Sequence, residues 1–175
     1  RWFAKGLDED RLLAFDMGGT TAKATLIDGF EPELTNTFEV ARIYRFKKGS
    51  GFPVSVPSVD LVEIGAGGGS LAKADQFGLL KVGPESAGAE PGPASYDQGG
   101  EVAAVTDADV LLGMLDPNSF LGGDMPLNES KAKEALSVIS EKLDLSEIET
   151  AAGIHEVVNQ NMSAAARMHG VERGI

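Results

Sequence analysis

Two apolar runs, Leu12-Leu13-Ala14-Phe15 and Ala24-Thr25-Leu26-Ile27, flank the polar segment Asp16-Met17-Gly18-Gly19-Thr20-Thr21-Ala22-Lys23. Short apolar runs bounded by turn residues predict strands, so residues 12–16 and 21–28 are expected to pair as a hairpin around the two glycines. Over 36–46 the positions Phe38, Val40, Arg42, Tyr44 and Phe46 fall on one side of an alternating pattern, which predicts a further strand that ends in Lys47-Lys48-Gly49-Ser50-Gly51-Phe52-Pro53. Val59–Ile64 reads as a strand stopped by Gly65-Ala66-Gly67-Gly68-Gly69-Ser70. Residues 70–74 and 78–82 form an expected hairpin around Asp75-Gln76-Phe77-Gly78, and 83–100 is expected to be a long loop rich in Gly and Pro.

Beyond residue 105 the period changes from two to that of a helix. Thr106-Asp107-Ala108-Asp109 is placed to cap a short helix running through Val110 to Leu115, which Asp116-Pro117 ends. Asn128 can cap a second helix, whose apolar stripe is Ala132, Ala135, Leu136, Ile139 and Leu143. Ser146 with Glu149 forms a capping box for a third, expected to run to about His169, before Gly170. The pattern therefore predicts an α/β chain with a mixed sheet and helices: a strand- and glycine-loop-rich part over 10–105, a helical part over 106–175, and no repeat of fixed period.

Composition narrows what this chain can do. Its 175 residues suffice for one domain with a sizeable core, or for a piece of a larger protein. The start at Arg1 and the stop just after a helical pattern favour the piece. A net charge of −12 argues against nucleic acid or an anionic membrane as partner, since both demand a basic surface. It also means that any phosphate bound here needs a divalent cation or local amide donors. With no Cys there is no disulfide framework, thiolate nucleophile or cysteine metal site. No apolar run reaches bilayer length and no signal-peptide pattern is present, so a soluble, cytoplasmic protein is expected.

The 22 glycines cluster at 18–19, 65–69, 83–100 and 122–123, as site-forming loops would. In the first cluster a carboxylate ends a strand, two glycines turn the chain and two hydroxyls open the next strand. Glycines let backbone amides approach a phosphate, hydroxyls add donors, and Asp16 is placed to hold a hydrated cation or polarise a water. The alternative is a tight hairpin in which Gly18 and Gly19 supply positive φ and Asp16 accepts turn amides. A strand follows the turn, so neither a Walker loop nor a dinucleotide fingerprint is formed. Gly65-Ala66-Gly67-Gly68-Gly69-Ser70 is expected to bring backbone close to a ligand as a nest of amides, or else to make a sharp reversal or bulge. Prolines stiffen Val82–Tyr96, which would hold Glu85, Ser86, Glu90, Ser95 and Tyr96 in defined places. His155 and His169 lie about 20 Å apart on a helix and cannot share a metal, so packing roles are expected for both. No Ser/His/Asp triad can be assembled.

Taken in order, Phe15–Lys23, Gly51–Asp60, Ile64–Ser70, Val82–Ala94, Val105–Ala108, Leu115–Pro117, Phe120–Gly123 and Val171–Gly174 closely resemble the hydantoinase A/5-oxoprolinase/acetone carboxylase β-subunit family, over nearly the whole chain from about residue 11. The resemblance implies an actin-like, ribonuclease H-like ATPase lobe, of which this chain would be a central to C-proximal fragment. The family's N-terminal hairpin and adenosine segment would lie elsewhere, leaving residues 16–21 as the second phosphate hairpin. It implies ATP and Mg²⁺ (or Mn²⁺) as cofactors, with Asp16 the metal-holding catalytic residue. Gly18, Gly19, Thr20, Thr21 and Lys23 would then face phosphate, while Gly67, Gly68, Gly69 and Ser70 would line the phosphate or substrate cleft. Many members end the hairpin in Ser-Thr-Asp, where Thr21-Ala22-Lys23 here places a cation. The implied activity is ring opening of a cyclic amide (a hydantoin, oxoproline or lactam) driven by ATP, alongside a large hydantoinase B-type subunit or domain. The alternatives are an acetone carboxylase β-like carboxylase subunit, or a domain without catalysis when isolated.

Overall fold

A computed structural model describes residues 2–41, 43, 49–172 and 174. Arg42, Tyr44 and Phe46 of the strand expected over 36–46, and Arg173, lie outside the described residues. The fold is mixed α/β. In chain order its elements are α1 (Trp2–Leu7), β1 (Leu12–Met17), β2 (Ala22–Asp28), β3 (Glu31–Pro32), β4 (Leu34–Thr35), β5 (Phe38–Val40), β6 (Phe52–Val54), β7 (Ser58–Val59), β8 (Val62–Ile64), β9 (Ser70–Ala74) and β10 (Leu80–Ser86). A 3₁₀ turn at Ala94–Tyr96, α2 (Val105–Leu111), a second 3₁₀ turn at Phe120–Gly123, α3 (Glu129–Leu143) and α4 (Glu147–Glu172) complete it. The chain divides into two compact units, residues 1–16 with 23–62 and residues 17–22 with 63–175.

In the first unit β1, β2 and β3 lie side by side in that order. The β2–β3 connection is a two-residue turn in which Gly29 and Phe30 both take positive φ, 57° and 65°, as the twist of a tight hairpin requires. Ala24, Leu26 and Ile27 of β2 are buried. β4 pairs with β7 and β5 with β6, all antiparallel. The single strand expected over 59–64 is instead two short ones. At the break the Asp60 amide donates to Glu33 O (2.8 Å) and its carbonyl accepts from Thr25 Oγ1 (2.6 Å), so the Asp60 backbone is used outside a continuous ladder.

The second unit holds the long helices. β9 and β10 form the expected antiparallel hairpin, and its turn is fixed by Asp75 Oδ1, which accepts from Phe77 N (2.9 Å) and Leu79 N (3.0 Å). β10 continues to Ser86, past the point where a loop was expected. Its ladder is interrupted between Val82 and Ser86, around a proline that has no amide to donate, and resumes with Ser86 opposite Ser70. α2 also begins earlier than its pattern indicated. Ala104 stands at its N-cap and Asp107 reaches back to the Ala104 amide (2.8 Å), so Thr106, Asp107 and Asp109 lie inside the helix. It ends at Leu111 rather than Leu115 because Gly113, at φ 71°, turns the chain away.

The other two helices follow the sequence closely. Asn128 caps α3 by accepting from Lys131 N (3.2 Å), and Ala132, Ala135, Leu136 and Ile139 are buried as the stripe required. Ser146 and Glu149 make the reciprocal capping box at the head of α4, which runs on through Gly170 to Glu172. Leu136, Ile154, Val158 and Val105 are almost wholly enclosed. Within this core, Ser140 Oγ bonds Thr150 Oγ1 (2.9 Å) and Leu136 O (3.0 Å), tying α3 to α4 while leaving neither hydroxyl unpaired. Tyr96 and Phe120 pack together beside Val110, Leu127 and Ala132. Among the described residues no helix is long and apolar enough to cross a membrane.

Candidate functional site

The amide of Gly18 donates to Thr21 O (2.9 Å), closing a turn with Gly19 and Thr20 at its tip. Neither Gly18 nor Gly19 takes positive φ, so the left-handed role that a simple hairpin would assign them is not theirs. Gly18, Gly19 and Thr20 are exposed and Thr21 is half-buried. A Cβ built on Gly19 would meet no atom within 4 Å. Among the described residues no protein acceptor engages the amides of Gly19 or Thr20. Asp16, next to last in β1, and Lys23, second in β2, are exposed and belong to the first unit.

The second glycine motif lies against this turn through its backbone. Gly68 N donates to Gly18 O (3.1 Å) and Gly69 N to Gly19 O (2.6 Å). On their other side, Gly68 O accepts from Thr106 N (2.8 Å) and Thr106 Oγ1 (2.9 Å), while Gly69 O accepts from Ala87 N (2.8 Å). Ser70 Oγ is buried and accepts from Gly67 N (3.0 Å); Ser70 N returns to Gly67 O (3.0 Å), and Ala66 N donates to Ile64 O (2.7 Å). Every amide from Ala66 to Ser70 is thus engaged within the protein. The glycines are needed because a Cβ on Gly67 would stand 2.5 Å from Gly18 O and 2.7 Å from Gly19 O, inside any tolerable contact. The motif lets two stretches of main chain touch.

Two residues that the pattern read as helix caps help hold the arrangement. Asp107 is fully buried and accepts from Ala94 N (3.1 Å), Ser95 N (2.7 Å) and Ala104 N (2.8 Å), clasping the Pro-Gly loop to the head of α2. Thr106 beside it holds Gly68. Nothing in their spacing distinguished them from ordinary helix-start residues. Of the loop side chains, Ser86 Oγ accepts from Gly88 N (3.2 Å), Glu85 pairs with Lys73 (2.8 Å), and Ser95 Oγ is buried with no hydrogen-bond partner. Burial, and then the neighbouring Asp107 charge, raise the Tyr96 hydroxyl above its ordinary pKa.

His155 Nδ1 meets Asp109 Oδ1 at 2.9 Å and joins α4 to α2, while His169 is buried near the end of α4. Burial raises the Asp109 carboxyl above the ordinary carboxylate value, and the hydrogen bond to His155 opposes that shift. The described residues contain no group of three or more His, Cys, Asp or Glu side chains that could hold a metal ion. Asp16 is a single exposed carboxylate. That suits a Mg²⁺ ion arriving on a phosphate, since Mg²⁺ keeps several waters and takes one or two carboxylates.

The hydantoinase/oxoprolinase family model matches residues 2–175. The chain belongs to the hydantoinase/oxoprolinase family. Caprolactamase subunit alpha of Pseudomonas jessenii is 40% identical over 166 residues, covering 94% of this chain and 23% of that protein. The acetophenone carboxylase gamma subunit of Aromatoleum aromaticum is 39% identical over 176 residues, covering 99% of this chain and 23% of the relative. The crystal structure of the ATP-dependent caprolactamase from Pseudomonas jessenii superposes with a TM-score of 0.79 at 39% identity, over 98% of this chain and 24% of that one. This hydantoinase/oxoprolinase chain therefore spans about a quarter of the length of these relatives.

Proposed function

We propose that the chain is the phosphate-binding part of an ATP-dependent cyclic amide hydrolase of the hydantoinase/5-oxoprolinase type, within an actin-like ATPase lobe. The observation that carries this reading is the exposed Gly18-Gly19-Thr20 turn, backed by the main chain of Gly67–Gly69 and leaving the Gly19 and Thr20 amides without protein acceptors. Outward amides on a rigid support suit a phosphate, because they donate without reorganising when charge develops. Gly18, Gly19, Thr20 and Thr21 receive phosphate oxygens, and Lys23 supplies positive charge to a chain of net −12. Asp16 holds Mg²⁺ or polarises water. Gly67, Gly68 and Gly69 support the turn from behind with their main chain, and the buried Ser70 holds Gly67 in place rather than lining a cleft itself. ATP supplies the phosphoryl group that activates the amide carbonyl; the turn's task is to hold and orient it.

The substrate is a hydantoin, oxoproline or lactam, and a hydantoinase B-type subunit or domain completes the enzyme in the cytoplasm. Two of its relatives, the caprolactamase and the acetophenone carboxylase, are named as subunits, which supports a partnered assembly. The kinship with a carboxylase subunit supports a second reading, an ATP-dependent carboxylase of the acetone carboxylase type. The test is ADP release by the intact protein with its partner, offered hydantoin, oxoproline and lactam, with and without bicarbonate. Release driven by a cyclic amide alone is expected. Release that requires bicarbonate selects the carboxylase, and no release with any substrate overturns both.

A further inference from the structure

We infer that Thr106, at the head of α2, is a positioning residue for the phosphate turn, acting through the Gly68–Gly69 peptide. The inference rests on the reading of the Gly18-Gly19-Thr20 turn as the phosphate site. The connection is a continuous run of hydrogen bonds. Gly19 O accepts from Gly69 N (2.6 Å), and on the same Gly68–Gly69 peptide Gly68 O accepts from both Thr106 N (2.8 Å) and Thr106 Oγ1 (2.9 Å). The Gly68–Gly69 peptide plane therefore carries the turn on its amide side and α2 on its carbonyl side. Two donors on one carbonyl fix that plane's rotation better than one, and the rotation sets where Gly69 N points.

The fit between the hydroxyl and the glycine is close. Thr106 is 5% exposed, and its Oγ1 lies 2.9 Å from where a Gly68 Cβ would stand, so the hydroxyl occupies space that only glycine leaves open. Behind it, Asp107 anchors the same helical turn through three buried amide bonds. α2 is thereby a fixed post, and the Thr106 hydroxyl is the part of it that reaches the second glycine motif. A helix-capping role would not need this bond, because Ala104 holds the N-cap and Asp107 satisfies its amide.

Thr106→Val keeps the side chain's shape and the backbone amide but removes the hydroxyl. Thr106→Ser restores it. In the intact protein, Thr106→Val is expected to lower kcat/KM for Mg-ATP by roughly three- to tenfold, the size of one lost hydrogen bond. Hydrogen exchange should quicken in the segments 17–22 and 65–70, and Thr106→Ser should return both readouts toward wild type. Ser146→Ala, which weakens the α4 capping box in the same unit, serves as a purely structural control. It should lower the melting temperature without moving either readout.

If Thr106→Val exchanges and turns over like wild type, or changes no more than Ser146→Ala, the positioning role is overturned while the phosphate reading stands. If wild type releases no ADP, the phosphate reading fails and the catalytic part of the inference fails with it. Exchange in 17–22 and 65–70 then still decides whether Thr106 fixes the turn.

Discussion

An added methyl at Gly19 would meet no atom within 4 Å, whereas at Gly67 it would lie 2.5 Å from the Gly18 carbonyl oxygen. Two glycines of similar appearance in the sequence thus separate folding from binding. Gly67→Ala forces backbone apart and should destabilise the protein by about 1–3 kcal/mol, read as a fall in the unfolding midpoint. Gly19→Ala should leave that midpoint within about 0.5 kcal/mol of wild type yet reduce kcat/KM for ATP, because only the ligand needs the space. Equal stability loss in both variants would contradict this division. A second expectation concerns Asp75, whose carboxyl is held below the ordinary value of 3.8 by the Leu79 amide, then by Lys81 and the Phe77 amide. A depressed folded-state pKa gives stability that is present above the unfolded value and lost as pH falls through the folded one. Asp75→Asn should therefore flatten the loss of stability on acidification below 3.8, and an unchanged acid limb in pH-dependent melting would count against it.

Among the elements, the helices rest on signals that are local. Asn128 followed by an apolar stripe, and Ser146 followed by Glu149, mark α3 and α4 because capping and 3.6-residue periodicity are contained within one segment. Asn128→Ala should cost about 0.5–2 kcal/mol in chemical denaturation, and a neutral result would mean that the cap is not holding the helix end. The hairpin of β9 and β10 was readable for the same reason. What the pattern misplaced depended on distant partners. β10 runs past Gly83 because Ser70 is there to pair with Ser86, and α2 starts at Val105 because Asp107 finds amides in the Pro-Gly loop. The glycine motifs were visible as close-approach sites, but not what approached them. That Gly67–Gly69 meet the main chain of Gly18 and Gly19 follows from tertiary folding alone, and so does the part played by Thr106.

For the molecule as a whole, the proposed function asks a chain of net charge −12 to receive ATP, which requires positive charge to be brought in. The described residues offer no cluster able to bind a metal without the nucleotide, so the ion is expected to enter on the phosphates. Chelation with EDTA should then abolish ATP turnover in the intact protein, and added Mg²⁺ should restore it. In the proposed function the exposed turn at Gly18-Gly19-Thr20 receives phosphate. Hydrogen exchange of the intact protein with and without Mg-ATP tests it most directly, with α3 as internal reference. Exchange over residues 17–22 should slow when Mg-ATP is added while α3 stays as it was. Unchanged exchange in that turn, at Mg-ATP concentrations that support turnover, would contradict it.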